Sequence, residues 1–192
     1  MLAEGIGDAE CVRRVQQGDI DSFEVLVRRH QKAIFNLVYR LLGNYDEAAE
    51  VAQEVFLSAF KSIYQFRGEA NFSTWLYRIG LNHASTRRKN LHSSQRRHIP
   101  LDGTEVIADG TADPVKNIEH KEIQQRVQQA LNNLDPEDAR IILLRDLQDV
   151  PYEEVAEMLD IPVGTVKSRL HRARQALRTS LAPYFYANRK AS

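Results

Sequence analysis

From Ile161 to Arg178 the chain reads IPVGTVKSRLHRARQALR without one acidic residue, directly after YEEVAEMLD, which carries four acids in nine positions. Wound as a helix at about 100° per residue, the basic stretch gathers Lys167, Ser168, His171, Arg172, Gln175 and Arg178 on one side. Val166, Leu170, Ala173 and Leu177 stack on the other. The first face offers positive charge and hydrogen-bond donors with nothing to repel phosphate, which is the chemistry of reading a nucleic-acid groove. An exposed basic helix that binds nothing has the same composition. Two features favour the groove reader: a short helix over Pro151 to Leu159, and a turn containing Ile161 and Pro162. Together they make a helix-turn-helix, whose second helix lies in the major groove. Arg172 is the expected bidentate reader of guanine.

A second acid-free stretch runs from Ala70 to Leu101 and holds Arg78, Arg87, Arg88, Lys89, Arg96 and Arg97. Tyr64, Phe66, Phe72, Trp75 and Tyr77 lie in or beside it. Cations next to aromatic faces suit melted nucleic acid, where bases stack on rings and the backbone follows the charge. Trp75, at helical spacing with Ile79, reads as core. Arg87, Arg88 and Lys89 are adjacent cations that repel one another unless an anion neutralises them. Upstream, Glu47, Glu50, Gln53 and Glu54 form the polar face of another helix. That face is acidic, so it fits a basic protein partner rather than DNA.

Nothing points to covalent chemistry. There is no Gly-rich phosphate loop and no nucleophile elbow. The six histidines have no metal-ligand spacing, and Cys11 is the only cysteine. No catalytic residue, cofactor, metal site or small-molecule substrate is expected, and the protein is not read as an enzyme.

These faces must be carried by helices. Leu26, Val27, Ile34, Leu37, Val38, Leu41 and Leu42 recur at three- and four-residue steps, with Asp21 as the expected N-cap and Gly43–Asn44 as the stop. Ala48, Val51, Ala52, Val55, Ala59, Phe60 and Ile63 line the next helix, the pattern breaks at FRGEAN, and a third helix begins near Phe72. LDGTEVIADGTADP reads as a linker. Helical pattern resumes at Val115 through Ile118, Ile123, Val127, Ala130 and Leu131 or Leu134, then restarts at Asp135-Pro136. The expected fold is all-α: two small helical domains joined by a flexible acidic linker, the C-terminal one containing the helix-turn-helix. The expected bounds are 8–95, linker 96–117, 118–182 and a tail 183–192. With 26 basic and 26 acidic residues among 192, bulk charge favours no nucleic acid, so the local patches carry that reading. A lone cysteine, and no leader-like or membrane-spanning apolar run, make a cytoplasmic protein the expectation.

Two segments, DEAAEVAQEVFLSAFKSIYQFRGEANFSTWLYRIGLN and LDPEDARIILLRDLQDVPYEEVAEMLDIPVGTVKSRLHRARQALR, resemble the extracytoplasmic-function (ECF) sigma factors of bacterial RNA polymerase. The resemblance covers both halves in order. It implies docking on core polymerase, against the basic coiled coil of the beta-prime clamp, through Glu47, Glu50, Gln53 and Glu54. It implies that the loop Phe66, Arg67, Gly68, Asn71 and Phe72 captures a flipped base of the minus-10 element, which Asn82, Arg87 and Arg88 help to read and melt. It assigns the minus-35 element to Lys167, Ser168, His171, Arg172 and Gln175. It further implies promoter DNA and an anti-sigma factor as partners, the latter able to hold the protein at the inner membrane. The chain departs from the pattern at Ala48-Ala49-Glu50, which has one acid fewer, at Pro151 before the short helix, and at His171 on the reading face. The other reading of the same residues is a helix-turn-helix regulator that works as a symmetric dimer without docking on polymerase.

Overall fold

The computed structural model describes residues 5–95 and 114–188, with side chains at 5–91 and 122–184. The chain divides into two compact units, Met1–Asp102 and Gly103–Ser192. All regular structure among the described residues is helical, and no helix among them is long and apolar enough to cross a membrane. The expected linker lies largely outside the described residues.

The first unit opens with α1, Asp8–Gln16, a helix too short for its periodicity to stand out in the sequence. Its Glu10 accepts from Arg13 and Arg14 at 2.7 and 2.9 Å, and Cys11, Val12 and Val15 turn inward. The Gln16 amide then donates to the Ile63 and Phe66 carbonyls at 2.8 and 2.9 Å, which anchors the start of the FRGEAN loop. Helix α2 spans Asp21–Leu42. Asp21 does not cap it. Asp19 does: its carboxylate accepts the Ser22 hydroxyl at 2.8 Å and the Ser22 amide at 3.4 Å. Gly43 ends the helix with φ 74°, a left-handed conformation that glycine adopts without strain, and donates to the Tyr39 carbonyl. Asn44 starts α3, Tyr45–Ser62, by accepting the Glu47 amide at 3.0 Å. A 3-10 turn, Ile63–Gln65, leads to the loop and to α4, Phe72–Gln95. The core is Leu26, Ile34, Leu37 and Val38 of α2, Val51, Val55 and Ala59 of α3, and Leu76, Leu81 and Ala84 of α4, all buried. Each leucine fully buried in this way stabilises by about 1.5–3 kcal/mol relative to exposure.

The second unit contains α5 Pro114–Asn132, α6 Pro136–Ile142, α7 Tyr152–Leu159 and α8 Val163–Asn188. Helix α5 opens inside the span expected as linker. Ile123, one of the apolar positions of that helical pattern, is exposed. Asp135 caps α6 by accepting the Glu137 amide, with Pro136 at the first position. The end of α6 widens into a π-type turn over Leu143–Leu147, where the Gln148 amide bonds the Leu143 carbonyl. Asp160, at φ 53°, turns the chain from α7 to α8. The Pro162 carbonyl receives the Thr165 and Val166 amides, so the proline precedes the first turn of α8 rather than occupying it. The seam read from the sequence is buried at Val166, Leu170 and Ala173, and Ile141, Leu144 and Val155 of the preceding elements are buried too. Helix α8 continues through Pro183, so the expected tail at 183–192 is helical as far as Asn188. Tyr184 there lies under the Arg126 guanidinium of α5, 5.0 Å from the ring centre.

Candidate functional site

The α3 and α4 faces meet through charge. Glu47, Glu50 and Glu54 follow one another at three- and four-residue steps, which puts them on one face of α3. Arg87 of α4 reaches all three: Nη1 donates to Glu47 at 2.5 Å and Glu50 at 2.8 Å, and Nη2 donates to Glu54 at 2.8 Å. The Glu50 and Glu47 carboxylates push the Arg87 guanidinium above its already high ordinary value. The other Glu54 oxygen faces His83 Nδ1 at 3.3 Å, and His83 Nε2 meets Ser58 at 2.9 Å. With three carboxylates against one guanidinium, Arg87 offsets only one of the three negative charges. Gln53 is exposed. Of the three adjacent cations Arg87, Arg88 and Lys89, Arg87 thus has its neutralising anions within the chain itself.

The FRGEAN loop is built on rings. Phe66 lies 5.0 Å from Trp75 and 6.0 Å from Phe72, centre to centre, and Phe72 lies 5.6 Å from Trp75. Phe66 and Trp75 are half-buried, so Trp75 is not a core residue; Phe72 is buried. Phe72 accordingly forms the floor of the cluster, and Phe66 is the more accessible ring of the two. Gly68 turns the loop at φ 75° with open space around its Cα, and Arg67 and Asn71 are exposed on either side. The Asn71 carbonyl receives the Trp75 amide, which starts α4. Asn82 is exposed on α4 with Arg78 and Thr86 one turn to either side, while Arg88 is half-buried.

In the second unit Lys167, Ser168, His171 and Gln175 are all exposed on α8. Lys167 Nζ sits 5.6 Å from the centre of the Tyr152 ring, which also receives Arg145 at 4.9 Å. The Ser168 hydroxyl donates to the Thr165 carbonyl. Arg172 departs from expectation. Its Nε and Nη2 donate to the two Asp138 oxygens at 2.9 and 2.8 Å, and Asp138 is only 4% exposed. The fork expected to read guanine closes over a buried carboxylate of α6 instead. That contact raises the Arg172 guanidinium further. Arg174 makes the same fork to Asp146. Sequence reasoning misses Asp138 and Asp146; Asp138 reads only as a helix-start signal, and nothing local ties it to a residue 34 positions later. Among the described residues no group of three or more His, Cys, Asp or Glu could hold a metal ion.

Comparison with known proteins accounts for both units. Residues 26–93 match the model of sigma-70 region 2, and residues 124–177 match that of sigma-70 region 4. The chain is 37% identical to the ECF RNA polymerase sigma-E factor of Haemophilus influenzae over 195 aligned positions, covering 95% of this chain and 99% of that one. It is 37% identical to the RNA polymerase sigma-H factor of Pseudomonas aeruginosa, over 92% of this chain and 94% of the relative. Two solved structures share the fold: CnrH in complex with the cytosolic domain of CnrY, at TM-score 0.69, 22% identity and coverage of 92% and 97%, and the sigma factor RpoE in complex with the anti-sigma factor NepR from Bartonella quintana, at TM-score 0.67, 21% identity and coverage of 83% and 96%. Both sigma-70 regions are matched in order, and a relative 37% identical is aligned over 95% of this chain and 99% of its own, so the chain belongs to the ECF sigma factors of RNA polymerase.

Proposed function

We propose that this sigma factor docks on bacterial core polymerase through the acidic face of α3, opens and reads the minus-10 element with its first unit, and reads the minus-35 element with its second. A sigma factor is a transcription initiation factor, so its residues bind and position rather than catalyse. Glu47, Glu50, Gln53 and Glu54 offer the clamp an acidic patch with net charge left over. Phe66 on its bed of Phe72 and Trp75 offers a ring to an unstacked base, with Arg67, Gly68 and Asn71 around it. Asn82 and Arg88 continue that surface along α4. Lys167, Ser168, His171 and Gln175 face the major groove, and Arg172 holds their helix in place through Asp138. An anti-sigma factor is the expected inhibitor, supported by the RpoE–NepR pairing of a chain with the same fold. The cytoplasm is the expected location, with membrane retention only through such a partner.

The observation that carries this reading is the coexistence, in one chain, of an acidic helix face beside an aromatic loop and a separate helix-turn-helix whose recognition helix has no acid. A regulator acting alone needs only the last of these. Run-off transcription with purified bacterial core polymerase on a promoter library tests it. Defined start sites that require both core and this chain support it. Specific DNA binding by a dimer of the chain, with no effect on core polymerase, contradicts it.

A further inference from the structure

We infer that Arg87 is a positioning residue for the polymerase-docking face and not a contact to promoter DNA. The inference rests on the docking role proposed above for α3. One guanidinium holds three carboxylates drawn from successive turns of another helix, at 2.5 to 2.8 Å. The cation is more covered than two of the acids it holds: the Arg87 side chain is 22% exposed, against 67% for Glu50 and 44% for Glu54. The carboxylates thus remain available while the positive group sits largely beneath them.

Left to themselves, carboxylates at three- and four-residue spacing on a helix repel and sample separate rotamers. Each rotamer-rich side chain that a partner must immobilise weakens binding. The planar fork of arginine meets several acceptors at fixed angles, which a lysine ammonium cannot do as one compact point charge. Arg87 therefore brings Glu47, Glu50 and Glu54 into one arrangement before any partner arrives. It cancels only one of their three charges, so attraction for a basic partner survives. Glu47 Oε1 and Glu50 Oε1, which Arg87 does not hold, are left for that partner. Arg88 and Lys89, next in the chain, have no such tie to α3 and stay with the nucleic-acid surface.

The test is titration of bacterial core polymerase with the labelled full-length chain at several salt concentrations, followed by anisotropy. The variants are Arg87→Lys, Arg87→Ala and the double charge reversal Glu50→Lys with Glu54→Lys. Holoenzyme formed at saturating core is then titrated with a single-stranded minus-10 oligonucleotide. Arg87→Lys keeps the charge and loses the fork, so it should bind core about tenfold more weakly with an unchanged salt slope. Arg87→Ala should bind more weakly and show a steeper salt slope, because the cluster gains one net negative charge. Oligonucleotide affinity of the saturated holoenzyme should match wild type for both. Wild-type core affinity with weakened oligonucleotide binding would make Arg87 a DNA contact and overturn the inference. Tighter core binding by Arg87→Ala would make Arg87 a brake on docking and overturn it equally. If the double charge reversal itself binds core like wild type, the docking assignment of α3 fails. If that variant loses binding while both Arg87 variants keep it, only the role given to Arg87 fails. Should Arg87→Ala not fold, Arg87→Lys decides.

Discussion

Both units carry an acid-free helix whose arginine reaches another helix for its anion, and they use that device in opposite ways. In the first unit one arginine serves three carboxylates that stay partly or largely exposed, so the joint surface remains acidic. In the second, Arg172 serves one carboxylate that is almost wholly covered, and Arg174 serves another. There the arginine is the exposed partner and the acid is structural, so the helix surface remains basic. The sign of a surface is thus set by which partner is buried. The acidic face suits a basic protein, and the basic face suits phosphate, although the contacts beneath them are chemically alike.

Mutations should separate the two units and their ion-pair clusters. The largest effect should come from the apolar seam below the basic face. Leu170→Ala should destabilise the C-terminal unit by about 2–5 kcal/mol, and Leu26→Ala should do the same for the N-terminal unit. Separate denaturation transitions for the two units would show each loss confined to its own unit; a shared loss from either change would mean that the cores are not independent. The ion pairs come next. Arg172→Ala leaves the Asp138 carboxylate buried without a counter-charge, so it should lower the melting temperature of the C-terminal unit. Adding Asp138→Asn should restore most of that loss, because an amide needs no counter-ion. Arg87→Ala should shift melting of the first unit much less, since its acids can rehydrate. Equal shifts from Arg87→Ala and Arg172→Ala in calorimetry would contradict the distinction drawn between the two clusters.

Smaller effects follow at the helix starts. Asn44→Ala and Asp135→Ala each remove the side chain that accepts a free first-turn amide of α3 or α6, and each should cost about 1 kcal/mol by urea denaturation. The smallest effect is one of pH. Arg13 and then Arg14 hold the Glu10 carboxylate down to about 2 from an ordinary 4.5. A depressed carboxylate contributes its stability above the higher value and loses it as pH falls toward the lower one. The contribution of Glu10 to α1 should therefore fade between pH 4.5 and about 2. Glu10→Gln should flatten that part of the melting profile by lowering stability slightly at neutral pH and leaving it unchanged below about pH 2.

Features written within one helix are legible in the sequence alone. The seam Val166, Leu170 and Ala173 repeats within one helix and is buried. The Gly43 stop and the Asp135-Pro136 start also occur where the local chemistry puts them. What local pattern does not carry is which charges are already engaged. Arg87 meets its acids across 33 to 40 residues, and Arg172 meets Asp138 across 34, so no short-range spacing marks either contact. Asp19 and Asp21 are equally good caps by type, and the Ser22 hydroxyl decides for Asp19. Helix α8 outruns its apolar repeat and passes through Pro183, with Tyr184 packed under Arg126 just beyond. Phe72 and Trp75 share a helix and a chemistry, yet only the packing of α4 distinguishes a buried floor from a half-buried wall.

In the function proposed here, polymerase docking belongs to the first unit and duplex reading to the second. The most direct measurement uses two variants side by side, Glu50→Lys with Glu54→Lys and Lys167→Ala with His171→Ala, each assayed for core-polymerase binding and for binding to a minus-35 duplex. The first pair should lose core binding and keep the duplex; the second should keep core binding and lose the duplex. If the first pair retains core binding, or if either variant loses both activities while still folded, the division of labour between the units is wrong.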